Sequence, residues 1–303
     1  MDGKTLSRDL ARILAEDPDT SAFLDARSTY MWLWRAAIEM SRRLQYPRAE
    51  ATITTVASQR DQYKLPADFL CLYLRDSDDE FFLRYYNGSA YSNVKMKDEA
   101  GIFEDYTTTS QASPGGFCIT DYRVAISRVT GTTSAVGAAV AGECTLTDAT
   151  AAFTTTVSAG DTVHNTTDGS TGIVLSVTSA TAIVTALFGG TANDWTNADA
   201  YVIVPQKRYQ VAFDAPTSTA GHIATVPYVQ RPAPVFSNYG SYPFPLDMST
   251  GLINGALWMY KYRDSQPDFG DRYFRIFDRD VRRSATQLTS SLGRKRLRVM
   301  LKV

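Results

Sequence analysis

The chain has 303 residues, 44% of them hydrophobic, and a formal net charge of −1. This composition excludes a disordered or fibrous protein, and the length allows one to three domains with buried cores. No apolar run approaches the roughly 20 residues that span a bilayer, and the N-terminus lacks the apolar stretch of a signal peptide. We therefore expect a soluble protein that is made in the cytosol.

Two helices are predicted at the N-terminus. Apolar residues within 6–14 repeat at helical spacing and predict a first helix that ends near Glu16. The segment 17–20 is expected to stop this helix and to cap a longer one over 21–45. Pro47 ends the second helix.

The period of the apolar residues changes to two after residue 50, which predicts strands. The acidic segment 76–79 is typical of a hairpin turn, and a second hairpin is predicted across Asp121 and Tyr122. The predicted strands of this region cover 51–56, 63–69, 71–75, 80–85, 117–120 and 123–126.

Between Arg128 and Lys207 the sequence contains no lysine and no arginine. Its six acids give this segment a formal charge of −6, so the rest of the chain carries +5. Short β-prone runs alternate with turn residues at the spacing of a small sandwich or barrel. We predict an inserted all-β domain over 129–206 that folds alone and faces outward. Its expected strands lie near 145–146, 162–164, 172–177, 182–186 and 200–204.

Two strands and two helices are predicted after the insert. The outer face of the last helix is predicted to carry three ion pairs at i, i+4: Asp268 with Arg272, Asp271 with Arg275, and Asp278 with Arg282. Gly293 is a natural helix C-cap. The predicted elements are strands over 208–213 and 223–229, a helix from Asp247 or Ser249 to Pro267, and a helix from Asp268 towards Leu292.

These elements predict an α+β protein. Each helix has an apolar face that must be buried, so we expect the N- and C-terminal helices to form a helical bundle with β-strand extensions and an inserted small all-β domain. The predicted domains are a discontinuous core of residues 1–128 and 207–293, the insert 129–206 and a C-terminal arm 294–303.

No constellation for catalysis stands out in the sequence. His164 and His222 are the two histidines, and both are expected at surface strand ends or turns. Cys71, Cys118 and Cys144 are far apart and predict free, buried thiols. Nucleotide, hydrolase and zinc motifs are missing from the sequence. We predict a protein that is no enzyme and uses no cofactor and no metal.

The acidic segment 76–80 has two chemical interpretations that we reject. It lacks the glycine and the twelfth-position glutamate of a calcium-binding EF-hand loop. Neighbouring carboxylates on one tight turn also cannot flank a sugar from opposite sides, as glycoside cleavage requires. A solvated turn is the favoured interpretation.

The C-terminus is both basic and apolar, and no acid follows Asp280. Segment 294–303 is interpreted as a solvated tail, a nucleic-acid contact, or an extended arm that adds main-chain hydrogen bonds and apolar side chains to a partner. The alternation of large apolar residues favours the arm, because phosphate binding does not need them. The predicted arm residues are Arg294, Lys295, Arg296, Leu297, Arg298, Val299, Met300 and Leu301.

The two halves that flank the insert, read as one sequence, resemble the head-to-tail adaptor (connector) proteins of tailed bacteriophages and gene transfer agents. Each matching element is short, and their order along most of residues 20–290 carries the resemblance. The elements are the helix over 32–44, 53–56 leading to Tyr-Lys-Leu-Pro-Ala-Asp-Phe at 63–69, the hairpin through Arg84, 117–119 with 123–126, Tyr-Val-Gln-Arg-Pro-Ala-Pro at 228–234, and the helix around 255–257 with Pro267 and Asp268.

The resemblance implies a virion protein of the neck that forms a ring, commonly twelve-fold, beneath the portal protein. Such adaptors prolong the channel through which genomic DNA passes without sequence-specific binding, and they dock tail or nozzle components, with no membrane involved. A C-terminal segment often reaches the portal in that family, which agrees with an arm at 294–303. The insert is a departure from typical small adaptors, and its 160–163 and 167–172 look like a β module of virion proteins.

Two alternatives remain open at this point. In the first, the Thr-rich insert binds carbohydrate or a host surface through exposed threonines, asparagines and Trp195. In the second, the chain is an enzyme, which requires a deep pocket that holds His164 or His222 with a carboxylate partner.

Overall fold

The computed structural model describes residues 2–15, 25–76, 78–104, 109–121, 127–206, 208–263 and 267–291. The chain forms two compact units. The first, which we call the helix–insert unit, consists of Met1–Tyr46, Arg128–Pro205 and Pro232–Val303. The second, the sheet unit, consists of Pro47–Ser127 and Gln206–Arg231.

The four long helices predicted from the sequence are confirmed, and two short ones are added. Asp2 caps the first helix by accepting a hydrogen bond from the Thr5 amide at 2.9 Å. Asp25 caps the second by accepting one from the Ser28 amide at 2.6 Å, whereas the predicted cap at 17–20 lies outside the described residues. The helices are α1 (Gly3–Leu14), α2 (Ala26–Leu44), α3 (Glu99–Glu104), α4 (Phe153–Thr156), α5 (Ser249–Arg263) and α6 (Pro267–Ser291).

The sheet unit contains one eight-stranded sheet. Its order is β1-β14-β4-β5-β6-β13-β2, and β3 also pairs with β14. All pairs are antiparallel except β5 with β6. One face buries an aromatic core that includes Tyr85, Phe117 and Phe213. The strands are β1 (Arg48–Thr54), β2 (Tyr63–Lys64), β3 (Phe69–Leu72), β4 (Phe82–Tyr86), β5 (Tyr91–Met96), β6 (Gly116–Asp121), β13 (Tyr209–Phe213) and β14 (Ile223–Gln230).

The insert contains the predicted strands and, against the all-β prediction, the short helix α4. Its strands form a single six-stranded antiparallel sheet of order β7-β12-β9-β10-β11-β8. Every predicted strand of the insert is confirmed, and β7 is an addition. The strands are β7 (Val129–Thr132), β8 (Cys144–Thr147), β9 (Thr162–Asn165), β10 (Thr171–Val177), β11 (Ala182–Phe188) and β12 (Ala200–Val204).

The insert does not stand apart from the helices. One face of its sheet covers its own core, in which Phe153, Val174 and Trp195 are buried. The other face adds Ile173 and Ala186 to the core of the helices. The prediction of an outward-facing insert is therefore corrected, because both faces of its sheet carry apolar side chains that need cover.

The predicted fold class, a helical bundle with β extensions and a small insert, is wrong. Fourteen strands and six helices form the described part of the chain, so the protein is mostly β. The strands taken for extensions join into one sheet because β14 pairs with β1, β3 and β4, which lie far away in sequence. β6 pairs with β13 and with β5. The second strand of the hairpin predicted across Asp121 and Tyr122 lies outside the described residues.

The helices pack into one layer around α5, which contacts α1, α2 and α6. Leu33, Leu252 and Phe277 are buried in this layer. Gly255 allows the close approach of α5 and α6, since a Cβ there would lie 3.0 Å from the Phe277 ring. Of the three pairs predicted on the outer face of α6, that of Asp278 with Arg282 is confirmed by a 2.9 Å contact between Arg282 Nε and Asp278 Oδ2.

Candidate assembly surface

The arm predicted to bind the portal lies outside the described residues, which end at residue 291. Its eight residues, from Arg294 to Leu301, therefore stay a prediction.

Both histidines contact hydroxyl groups. His164 Nδ1 lies 3.1 Å from Thr171 Oγ1, and His222 Nδ1 lies 3.0 Å from Tyr85 Oη. Burial raises the pKa of the Tyr85 hydroxyl. In the part of the chain that the structure describes, neither histidine has a carboxylate as hydrogen-bond partner. His222 is buried, so the prediction of a surface histidine is wrong for this residue.

Of the three free cysteines, Cys118 and Cys144 are buried as predicted, and Cys71 is half-buried. Burial raises the pKa of the Cys144 thiol to about 11. A thiol with this pKa is almost entirely protonated near neutrality, which makes it a poor nucleophile and a poor metal ligand.

A lysine of the same unit contacts three carboxylates of the acidic turn. Lys95 Nζ lies 2.6 Å from Glu80, 3.2 Å from Asp76 and 3.2 Å from Asp78. These carboxylates, with the Glu80 contact first, raise the pKa of Lys95. The lysine ammonium therefore already occupies the centre of this cluster.

Backbone amides hold most of the acids of the insert. The carboxylate of Asp168 accepts hydrogen bonds from the amides of Thr191, Ala192 and Asn193 at 2.9 to 3.1 Å. Asp148, Asp161 and Asp199 each accept one from a neighbouring turn in the same way. The acids thus fix turns, which their number in the sequence did not reveal.

The asparagine variant of Asp168 tests this anchoring. The Ala192 amide is the main cause that holds the pKa of Asp168 below its ordinary value of 3.8. A depressed pKa stabilises the fold above the unfolded-state pKa, and the stabilisation is lost as the pH falls through the folded-state pKa. Asp168→Asn should lower the free energy of unfolding by about 2 kcal/mol at neutral pH, and it should weaken the loss of stability below about pH 4.

Urea denaturation of both proteins at a series of pH values measures this effect. Asp194→Asn is the matched control, because no hydrogen bond to the Asp194 side chain is found among the described residues. An equal loss in both variants would contradict the assignment of Asp168 as a turn anchor.

Trp195, the aromatic residue considered for carbohydrate binding, is fully buried. Its Nε1 donates a hydrogen bond to Thr185 Oγ1 at 2.9 Å, and its ring contacts Tyr201 edge-on. A side chain without exposed surface cannot stack on a sugar, so its proposed role as a carbohydrate ligand is corrected.

An open aromatic groove lies on the helical layer between α2, α5 and α6. Its volume is about 610 Å³. Trp258 and Phe274 have ring centroids 4.8 Å apart, and the Arg35 guanidinium lies 5.0 Å from the centroid of Trp32. The groove is lined by Trp32, Arg35, Trp258, Met259, Asp271 and Phe274.

The four apolar lining residues of the groove are half-buried, so their rings still contact solvent. Tryptophan and arginine dominate the binding energy of protein interfaces, and large exposed apolar patches mark such interfaces. This surface was not predicted from the sequence. The available signal was a tryptophan in each of two predicted helices, Trp32 and Trp258.

Comparison with known protein families and with curated proteins gives no match for this chain. Within the described ranges, no helix combines the length and the apolar character that a bilayer crossing demands. The resemblance to adaptor proteins therefore rests on the sequence elements given above.

Proposed function

We propose that the chain is a structural virion protein, the head-to-tail adaptor of a tailed bacteriophage or gene transfer agent. It assembles as a ring beneath the portal protein, extends the DNA channel and docks a tail or nozzle protein. The arm 294–303 binds the portal, and the genome passes through the ring without sequence-specific contacts. The order of the sequence elements supports the family, and the aromatic groove supports assembly.

The aromatic groove is the main structural support for the proposed ring, because it can form one side of a contact between two subunits. A closed ring is built from heterologous contacts, in which each copy uses two different patches. Exposed apolar side chains elsewhere on the helix–insert unit are candidates for the second patch. Ile13, Tyr239 and Leu246 expose 51%, 76% and 78% of their surface. The occupant of the groove is therefore a second copy of this chain.

Charge reversal in the groove tests this contact. Arg35 is exposed beside Trp32, so Arg35→Glu should leave the fold intact while it removes a cation from the centre of the contact. We expect rings to form only at a concentration about tenfold higher or more. Mass photometry over a concentration series, together with electron microscopy of particles that contain the chain, measures ring formation and its place beside the portal.

Arg27→Glu is the matched control, since Arg27 is an exposed arginine of α2 outside the groove. Equal effects of the two reversals would show that net charge and not the groove controls assembly. Particles in which the wild-type chain forms no ring next to the portal would overturn the proposed function.

A further inference from the structure

The tip of the hairpin between β4 and β5 contains an asparagine followed by a glycine, Asn87 and Gly88. In such a pair the backbone nitrogen of the glycine can attack the side-chain amide of the asparagine, because glycine has no Cβ that hinders a close approach. The sequence contains a second pair of this kind, Asn254 and Gly255, in α5. The structure places the two pairs in opposite environments.

Three donors hold the side-chain oxygen of Asn87. Its Oδ1 accepts hydrogen bonds from the Ser89 amide at 3.1 Å, from the Ser89 hydroxyl at 3.0 Å and from the Ala90 amide at 2.9 Å. Fixed donors on a carbonyl oxygen stabilise the negative charge that develops there when a nucleophile attacks the carbon. The hydrogen bonds of this turn therefore activate the amide carbon of Asn87.

The backbone nitrogen of Gly88 is available as the nucleophile. No hydrogen bond from this nitrogen is found among the residues that the structure describes. Gly88 is exposed, and a Cβ built on it would come no closer than 3.8 Å to the described atoms around it. The two reacting groups belong to adjacent residues of an ordered turn, so little entropy is lost when they meet.

We propose that Asn87 is a site of spontaneous deamidation in the folded protein. The Gly88 nitrogen loses its proton to water and forms a bond to Cγ of Asn87. The bond from Cγ to Nδ2 breaks, and the amide nitrogen takes a proton from water and leaves as ammonia. A water molecule then opens the resulting succinimide ring, which yields aspartate or isoaspartate. No oxidant or reductant takes part.

The aspartate product fits the same turn. A carboxylate oxygen accepts the hydrogen bonds that Oδ1 of Asn87 accepts, and it accepts them more strongly because it is charged. The side chain loses only the 3.5 Å contact between Nδ2 and Ser113 Oγ. The reaction therefore adds a negative charge to the hairpin tip and leaves the turn in place.

A simpler explanation of the hydrogen bonds at Asn87 is that they only close the turn. Asparagine side chains commonly accept hydrogen bonds from backbone groups two residues further along the chain. Under that explanation the folded turn protects the side chain, and the reaction should be slower than in the unfolded chain. The exposed glycine and its open surroundings favour activation, so the two explanations predict opposite effects of folding on the rate.

Asn254 provides an internal comparison, because its surroundings protect it. The residue is 8% exposed, and its Nδ2 donates a hydrogen bond to the Thr250 carbonyl at 2.8 Å. The next nitrogen, that of Gly255, lies inside α5, where backbone nitrogens donate to the preceding turn. Deamidation at Asn254 therefore requires local opening of the helix.

The test is incubation of the full-length protein in mildly alkaline buffer, folded and in guanidinium chloride, followed by peptide mapping with mass spectrometry. We expect Asn87 to deamidate about tenfold faster in the folded protein than in the denatured one. In the folded protein Asn254 should react about a hundredfold more slowly than Asn87 or slower still, since its helix must open first. In the denatured protein the two sites should react at similar rates.

Ser89→Ala removes one donor to Asn87 Oδ1 and leaves the reacting atoms in place. We expect it to slow deamidation of the folded protein about threefold, the effect of one hydrogen bond. Ser92→Ala is the matched control, because Ser92 is an exposed serine of β5 in the same hairpin. Circular dichroism melting checks that both variants are folded.

A slower reaction at Asn87 in the folded than in the denatured protein overturns the proposal, and so do equal rates in the two serine variants. The measurement needs no ring and no portal, so its result is independent of the proposed adaptor function.

Discussion

Replacing Trp195 with alanine should lower the free energy of unfolding by about 3–5 kcal/mol. Trp195 is the largest fully buried side chain of the insert, and its removal leaves a cavity beside Phe153 and Tyr201. It also leaves the Thr185 hydroxyl without the indole donor. Urea denaturation followed by circular dichroism measures the loss.

Trp195→Phe separates the contribution of packing to stability from that of the hydrogen bond to Thr185. Phenylalanine retains most of the ring but not the hydrogen bond to Thr185, so we expect a smaller loss of about 1–2 kcal/mol. A solvent-exposed tryptophan that binds a sugar would behave differently, because its truncation leaves stability almost unchanged. A loss below about 1 kcal/mol for Trp195→Ala would contradict the buried position.

Phe277→Ala should also destabilise the protein by about 3–5 kcal/mol. The ring is fully buried, stacks on Trp258 at 6.0 Å and lies under the Arg43 guanidinium at 5.4 Å. Gly255 allows α5 to approach it, and alanine at position 277 cannot fill the space between the two helices. Denaturation with two probes, far-ultraviolet circular dichroism and tryptophan fluorescence, measures the change.

Phe269→Ala is the control on the same helix, since Phe269 is 55% exposed. We expect this substitution to change the free energy of unfolding by less than about 0.5 kcal/mol. Similar losses for Phe269→Ala and Phe277→Ala would mean that the buried face of α6 has been assigned wrongly.

The two destabilising variants together test whether the insert folds with the helices. Ile173 and Ala186 of the insert sheet belong to the helical core, so we expect Trp195→Ala and Phe277→Ala to shift one cooperative transition. Two separate transitions, each sensitive to only one substitution, would instead support the independent folding predicted from the sequence. Expression of residues 129–206 alone gives a direct check.

The elements of this fold that depend on local pattern could be predicted from the sequence. Helical periodicity indicated α1, α2, α5 and α6, and turn residues separated the strands of the insert. Strand β7 was missed because Val-Thr-Gly-Thr contains one apolar residue and no alternation. It is held in place by pairing with β12.

The pairing of strands could not be predicted in this way. Thr54 of β1 lies opposite Ile223 of β14, and the insert separates them in the sequence. Neither strand has a sequence feature that identifies its partner. β5 and β6 form a parallel pair, which the sequence also does not indicate. Elements that read as extensions of a helical bundle therefore become the larger sheet, which is why the predicted fold class was wrong.

The candidate surface likewise consists of residues that are far apart in the sequence and come together only in the folded chain. Trp34 lies on the buried face of α2, where its Nε1 donates a hydrogen bond to the Pro232 carbonyl at 2.9 Å. The sequence does not show a role for Trp32, because Trp258 and Phe274, which line the groove with it, come from distant helices. The contact of Asp278 with Arg43 of α2, at 3.1 Å, could not be predicted from the sequence either.

The carboxylates that anchor turns of the insert also affect how strongly two copies of this segment would repel one another. Copies of this segment that stood side by side with six exposed carboxylates each would repel one another. Because Asp148, Asp161, Asp168 and Asp199 are held by peptide N–H dipoles, much of that charge is already met within each copy. The negative field outside this segment is therefore weaker than six free carboxylates would produce, although its formal charge is unchanged.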